Sequence, residues 1–590
     1  MWKIFSSFFI LVHSGLTAQV IPDSMRVEWN YAGVQQFYAD TTNIADVTLF
    51  GAVGNGSAND YPAVLSALAS LSGHSGIVYF PPGNYLLNST IQLPDSVILK
   101  GASSSQTTLT FDFGGITGNC INVWAGQSHP YYALRSGYAK GSFRLVCDSA
   151  INFSAGDYAE LREENGSWDT NPVFWADYSV GQMVKIDSVH GDTLFLEHAL
   201  RIDYDSLLNV EIRKVNMRGN TGIQCMRILR VDSTAPSVNY GIYFNFAANC
   251  HVRGVEMEHT IGAMIWAEAS TALEITGNYF HHSYEYTGSS TKGYGVVMAV
   301  HTGESKIENN IFRHLRHAMM VKQGANGNVY AYNYSIEPTR SEFPSDFGGD
   351  ISLHGHYAYA NLFEGNICQN LMLDQAYGSS GPFNTFFRNR VERYGIILSS
   401  GTVNTNQNNF IGNDITGTGL GQGQYVITGT GHLLYGNNDN GTLQPPGTGL
   451  LNDTSYYLTG TPSFWNITEP FPNIGTPNPV TGQNNPARQR FLSGGSFTIC
   501  GEELPTRVKD IKPEDFEIFP NPACSTLTIY PGRFATVVDI QDATGKRMMQ
   551  FISPAKIQAD LDVSALPAGI YFITLHDQHN SPMTKKFVKM

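Results

Sequence analysis

The sequence is short of charge, of cysteine and of long apolar runs, and each shortage excludes something. Asp, Glu, Lys and Arg make up only 15% of 590 residues, and their balance is acidic, with a formal net charge of −14. A chain without a basic face has little to offer a phosphate backbone, so nucleic acid is not expected as a partner. The seven cysteines, Cys120, Cys147, Cys225, Cys250, Cys368, Cys500 and Cys524, are odd in number, far apart and free of any C-x-x-C pattern. That spacing indicates neither a disulfide framework nor a cysteine zinc site, and most of them read as small core residues. Beyond the opening segment no stretch approaches the roughly 20 consecutive apolar residues of a membrane helix.

What is plentiful is glycine (59 residues), tyrosine (30), phenylalanine (33) and asparagine, within a 42% hydrophobic composition. This balance favours turn-rich β architecture with a large core, divided into two to four structural units. The opening MWKIFSSFFILVHSGLTAQV places one Lys before a short apolar run that ends in small residues around Ala18. That is the layout of a cleaved secretory signal over residues 1–18, so the mature chain is expected outside the cytoplasm and soluble. Residues 19–46 form an N-terminal extension.

From about residue 240 to 440 the chain repeats. An apolar residue precedes Asn by three places at Asn278, Asn310, Asn333, Asn366, Asn389, Asn413 and Asn437, at spacings of 32, 23, 33, 23, 24 and 24, and Gly254 extends the series backwards by 24. One coil is therefore 23 or 24 residues, and two coils carry insertions of about nine. In stacked coils an Asn at a turn is expected to take a left-handed conformation and pair its amide with the copies above and below. Residues 152–205 depart from the repeat and read as a small β insertion with Gly-Asp turns, set to line one side of a groove. Residues 441–513 are rich in Pro, Gly, Asn and Thr, the composition of closing loops and a linker.

Near the start, VTLFGAVGNG is followed by an amphipathic helix with Ala63, Val64, Ala67, Leu68 and Leu71 on one face, Asn59 or Asp60 as its cap, and then VYFPPGNYLL. This combination resembles the N-terminal signature of the pectate-lyase-like β-helix superfamily of polysaccharide lyases, glycoside hydrolases and phage tailspikes. The resemblance implies an all-β fold, a right-handed single-stranded parallel β-helix over residues 47–440, whose helix covers the open end of the solenoid. In residues 514–590 the elements FPNPACSTLTIY, DATGK and LPAGIY resemble the C-terminal sorting domain of the type IX secretion system of Bacteroidetes. That implies a C-terminal β-sandwich, export by the secretion machinery, and a place outside the cell or on its outer surface.

In a solenoid, chemistry sits where matching positions of consecutive coils form a row. The apolar strands AMIWAE, VVMAVH, AMMVKQ, DISLHGH, LMLDQ and IILSS end in Glu268, His301, Lys322, His354 with His356, Asp374 and Ser399. The two coil insertions, Tyr284–Tyr294 and Ser335–Gly349, flank Lys322, and seven of the 17 His lie between residues 281 and 356. For β-elimination on an acidic polysaccharide, Lys322 with Arg313 or Arg316 would neutralise a uronate or supply the base, His354 or His356 would be the base, and Tyr357 or Tyr377 the acid. His301 and Asp374 complete the catalytic candidates, and Glu268, His317, Tyr284 and Asp350 the substrate-binding ones.

Three other readings stay open. Glycoside hydrolysis would need two carboxylates, for which Asp350, Asp374 and Asp346 are candidates. The NTD, paired-Asp and RIK elements of polygalacturonases are missing, and His354-Gly355-His356 is similar to their GHG only superficially. A metal could be held by His354 and His356 with Asp350 or His301, although no ligand set is fixed, and calcium bridging an acidic sugar is conceivable with scattered carboxylates. Last, the chain could be a carbohydrate-binding surface β-helix without catalysis, in which Tyr284, Tyr286, Tyr294, Tyr357 and Tyr359 stack sugar rings. The expected partners are a polysaccharide and the secretion machinery, and the expected state is a monomer.

Overall fold

The computed structural model describes residues 20–35, 42–233, 239–375, 377–399, 403–476 and 483–500, and, further on, 516–519, 523, 525–531, 535–542, 544–552, 559–577 and 582–589. The proposed signal, residues 477–482 and 501–513 of the closing loops and linker, and Cys524 lie outside the described residues. The chain divides into two units, Met1–Gly501 and Glu502–Met590.

The first unit is a parallel β-helix. A typical coil contributes three strands, as in Val329–Ala331, Tyr334–Ile336 and Ile351–His354, while in Ile367–Asp374 and Arg390–Leu398 the second and third run together. The first strands of the coils stack into a 12-stranded parallel sheet running from Ile44–Asp46 to Leu433–Tyr435, and the second and third strands form two further parallel faces. Register is strict: Ile275, Ile307, Tyr330, Phe363, Phe386 and Phe410 are consecutive partners. All point into the core, and the rings of Tyr330, Phe363, Phe386 and Phe410 stack with centroids 5.2, 5.2 and 4.9 Å apart. Burying such rings stabilises each coil only when its neighbours are present, which is why solenoids fold as arrays.

The asparagine repeat is the seam between the first and second faces. The side-chain amides of Asn278, Asn310, Asn333, Asn366, Asn389 and Asn413 each donate to the Oδ1 of the next Asn at 2.9–3.0 Å, ending on Asn437. Each also donates to a backbone carbonyl near the preceding coil, as Asn366 does to Tyr330 O at 2.8 Å. The left-handed residue is not the Asn itself but the one before it: Gly277, Asn309, Tyr332, Gly365, Arg388, Gly412 and Gly436 have φ between 53° and 66°. The turn is made there, which leaves the Asn in an extended backbone with its amide aimed along the stack. A second ladder, Asn328, Asn361, Asn384 and Asn408, runs along the opposite edge of the first face.

The N-terminal helix spans Tyr61–Ser70 and buries Ala63, Val64, Ala67 and Leu68 against the first coils. Asn59 Oδ1 accepts from Tyr61 N, whereas the Asp60 carboxylate turns away to accept from the backbone of Val53 and Gly54. A second helix, Pro486–Ser493, capped by Asn485, covers an outward column of Tyr279, Ile311, Tyr334 and Ile367 on the second face. Just beyond it Cys500 forms a disulfide with Cys225, a pairing that sequence spacing does not indicate. Two cysteines 275 residues apart meet only because the closing segment runs back along the solenoid. Cys120, Cys147, Cys250 and Cys368 are buried thiols, as their spacing suggests.

The insertion is larger than residues 152–205. Six antiparallel strands between Tyr132 and Val215 form one sheet, with Val180–His190 and Tyr158–Glu163 at its centre. It docks on the solenoid through polar anchors: Glu160 to His301, Arg201 to Glu304 and Asn326, and Tyr204 to Tyr359. The second unit has a three-stranded and a four-stranded antiparallel sheet around Leu527, Ile529, Val538, Ile540, Ile573, Leu575 and Phe587.

Replacing Asn366 by Ala would strand the buried groups it serves, at about 1–3 kcal/mol for each lost partner. The expected loss is roughly 3 kcal/mol or more of unfolding free energy in urea titrations, and a neutral result would remove the ladder from the account.

Candidate active site

On the third face the strands alternate between core and exterior. Ile265, Ala267, Val296, Met298, Met319, Val321, Ile351, Leu353, Leu371 and Leu373 point inward. Register then places Asn245, Glu268, Ala299, Lys322, His354, Asp374 and Ser399 in one outward column. The row expected from strand ends exists with one substitution, because Ala299 and not His301 stands on its coil. His301 lies two residues on, at φ 58°, with Nδ1 2.8 Å from Glu160 and Nε2 2.8 Å from the Tyr178 carbonyl. Both ring nitrogens are engaged in docking the inserted sheet. The Glu160 carboxyl is held at about 2, its burial cost outweighed by the hydrogen bond and charge of His301 and by Arg213.

Lys322 is the centre of the column. Its ammonium lies 4.8 Å from the ring centre of Trp175, delivered by the inserted sheet, and 5.8 Å from that of Trp266 on the solenoid. Among the described residues no carboxylate pairs with it directly. Burial pushes it down to about 8, against the opposing pull of Glu268 and Asp374. An ammonium held between two indoles is stabilised by ring quadrupoles yet poorly hydrated, which is how a lysine becomes able to exchange a proton near neutrality.

Beyond Ala299 on one side of Lys322, and directly on the other, the column is polar. Glu268 accepts from Trp266 Nε1 (2.7 Å), Tyr243 Oη (2.8 Å) and the Asn245 amide (3.2 Å), and Tyr240 stacks on Trp266 at 5.0 Å. In the next coil after Lys322, His354 Nδ1 lies 2.5 Å from Asp374 Oδ2, with 19% of the imidazole side chain exposed. This orients the ring and leaves Nε2 for another partner, the arrangement of a carboxylate-supported general base. Tyr377 packs its ring 5.0 Å from His354 and stacks on His356 at 5.2 Å. His356 is fully buried, also touches Trp175, and among the described residues has no hydrogen-bond partner for either ring nitrogen. Burial lowers it to about 3, so it stays neutral. Buried polar atoms of this kind need a partner such as an ordered water or a bound ligand.

The walls differ from those expected. The two coil insertions meet each other, through Glu342 and the Gly288 amide, at the corner between the second and third faces. Opposite them stands the inserted sheet. Where that sheet meets the column, a cleft of about 200 Å³ is lined by Tyr131, Arg162, Tyr178, Arg213, Asn245 and Glu268, among others.

Several expected residues lie elsewhere. Arg313 pairs with Glu337 on the second face. Arg316 donates to the carbonyls of Thr287 and Ser290 and so holds the first loop. Tyr284 donates to the Arg230 carbonyl and stacks on His259. Tyr357 packs on Trp168 of the insertion. Asp350 is a corner residue: buried, it accepts from Ser335 Oγ and from the amides of Gln369 and Asn370, and burial lifts it to about 6. Asp346 pairs with Arg393. His317 sits at the edge of the site, 6.2 Å from His354 and 4.8 Å from Tyr294, with Nδ1 on the Gly349 carbonyl. The sequence reading missed Trp175, Trp266 and Tyr240. Trp266 carried a signal, since it alternates with the inward Ile265 and Ala267 and so had to face out.

Residues 44–128 match the family model described as rhamnogalacturonase A/epimerase, pectate lyase-like, and residues 517–590 match that of the secretion system C-terminal sorting domain. No curated protein sequence matches the chain. Among solved structures it is similar to a tailspike protein from Pseudomonas phage LKA1, with a TM-score of 0.47, 16% identity and 63% of each chain covered. It is also similar to the catalytic domain of a GH87 α-1,3-glucanase, with a TM-score of 0.36 and 12% identity over 65% of this chain and 55% of that one. A third is a mannuronan C-5 epimerase A-module from Azotobacter vinelandii, with a TM-score of 0.28 and 15% identity over 68% of this chain and 98% of that one. The chain thus spans 63% of the length of the tailspike protein. It carries a pectate-lyase-like parallel β-helix and a sorting domain that directs type IX export to the cell surface or the extracellular space. No described helix is long and apolar enough to cross a membrane.

Trimming Trp175 to Ala opens the ammonium to water. The pH at which Lys322 becomes reactive to an acylating reagent, followed by peptide mass spectrometry, is expected near 8 in the parent. In the variant it should move up towards the ordinary lysine value of about 10.4.

Proposed function

We propose that the protein is a secreted polysaccharide lyase that cleaves an acidic polysaccharide by β-elimination across the third face of the solenoid. The observation that carries this reading is the His354–Asp374 pair on the coils next to Lys322, in one outward column. β-Elimination beside a uronate needs a cation for the carboxylate, a base for the adjacent proton and an acid for the departing oxygen.

Lys322 as ammonium takes the carboxylate and stabilises the negative charge that grows on it. His354 Nε2 removes the α proton, and Asp374 stabilises the resulting imidazolium. The electron pair forms the carbon–carbon double bond as the glycosidic C–O bond breaks, and Tyr377 protonates the leaving oxygen. Trp175, about half exposed, supplies an apolar face for a sugar ring, while Tyr240 and Lys322 cover Trp266.

Hydrolysis fits less well. Glu268 and Asp374 are separated by four strand steps, roughly 19 Å along the column, whereas paired glycosidase carboxylates stand about 5 to 10 Å apart. Asp350 and Asp346 are committed to other partners.

The test is incubation with pectic, alginate, glycosaminoglycan and sulfated algal polysaccharides, following unsaturated-product absorbance and reducing ends together. The expected outcome is both signals with one acidic polymer. Lys322→Ala and His354→Ala should each lower turnover by about a hundredfold or more while melting normally. Reducing ends without unsaturation would make the protein a hydrolase, and binding without either signal would make it a carbohydrate-binding module.

A further inference from the structure

A second cluster of ligating side chains lies on the second face, away from the Lys322 column. Glu256 and Glu258 are the outward residues of strand Glu256–Thr260, and Glu258 is the direct neighbour of His281 on the next coil. One ligand atom from each of Glu256, Glu258 and His281 falls within 4.8 Å of the other two.

Two observations say that these groups are more than a solvated ion-pair network. First, His281 Nδ1 lies 2.9 Å from His282 Nδ1, while its Nε2 faces Glu256 Oε1 at 3.4 Å. In the metal-free protein Nε2–H donates to Glu256; on metal binding, a proton on Nδ1 donated to His282 would free the Nε2 lone pair for the ion, the outer support that metal histidines use. The ring is also clamped by Tyr279, stacked at 4.2 Å. Second, Arg227, the cation now beside the cluster, fits it poorly. It contacts Glu258 closely, but its buried Nε reaches Glu256 only as a 3.5 Å ion pair and makes no well-aligned hydrogen bond among the described residues. About a third of the Arg227 side chain is exposed, so it has room to swing out.

We propose that Glu256, Glu258 and His281 form a binding site for a divalent transition-metal ion of the zinc class, which ties two adjacent coils together, with His282 orienting His281 and Arg227 as the displaceable counter-ion. Mixed carboxylate and imidazole donors suit zinc and its neighbours, whereas calcium takes oxygen ligands.

The test is calorimetric titration of the full chain, stripped with chelator, using zinc chloride and, separately, calcium chloride. One equivalent of zinc and no calcium uptake are expected. His281→Ala and Glu258→Gln should each weaken zinc binding at least about tenfold. Arg227→Gln keeps all three donors and removes the competing cation, so it should tighten binding several-fold. No zinc binding to the parent would overturn the proposal. So would zinc binding that well-folded His281→Ala and Glu258→Gln leave unchanged, or that Arg227→Gln leaves unchanged or weakens.

Discussion

The register between coils is the constraint on which the rest depends. A one-residue slip in any strand would exchange core for exterior along that coil and scatter the outward columns. The asparagine amides prevent this. Each bonds both along the stack and back to a carbonyl, so a coil shifted by one position would bury several unpaired polar groups at about 1–3 kcal/mol each. The stacked rings of Tyr330, Phe363, Phe386 and Phe410 add an apolar penalty to the same slip. Because register is held so firmly, residues from five coils, Glu268 to Asp374, can work as one surface.

That surface is completed by a piece that does not follow the repeat. The inserted sheet anchors on the solenoid through buried polar pairs, Glu160 with His301 and Arg201 with Glu304. Breaking one partner of such a pair is costly, which makes the docking position specific. Its consequence is local and chemical: Trp175 reaches Lys322, closes it off from water and brings its proton affinity towards neutrality. The fully buried His356, with neither nitrogen paired among the described residues, packs against the same Trp175.

Much of this was legible in the sequence. The asparagine spacing gives the coil length, and the ladder joins the same seven residues. The polar strand ends give the column, apart from His301, because strand length varies by a residue or two between coils and only the alternation of inward and outward side chains identifies Ala299 as the true neighbour of Lys322. Asp350 is a carboxylate candidate in the sequence, yet in the structure it is buried at a corner, where it accepts from backbone amides. The Cys225–Cys500 bridge and the anchors of the inserted sheet were beyond reach, since they depend on where non-repeating segments return and no periodicity encodes that. The aromatic faces of Trp175 and Tyr240 were hidden for the same reason.

The central claim is that the Lys322 column under the inserted sheet is where an acidic sugar is bound and deprotonated. The most direct measurement is a crystal structure of the Asp374→Asn variant soaked with an oligosaccharide of the polymer that the parent cleaves. The account predicts a sugar ring against the exposed side of Trp175, a carboxylate at ~3 Å from Lys322 Nζ, as charge-assisted hydrogen bonds require, and the adjacent carbon facing His354 Nε2. An oligosaccharide bound on another face, or in this groove with its carboxylate turned away from Lys322, would contradict it.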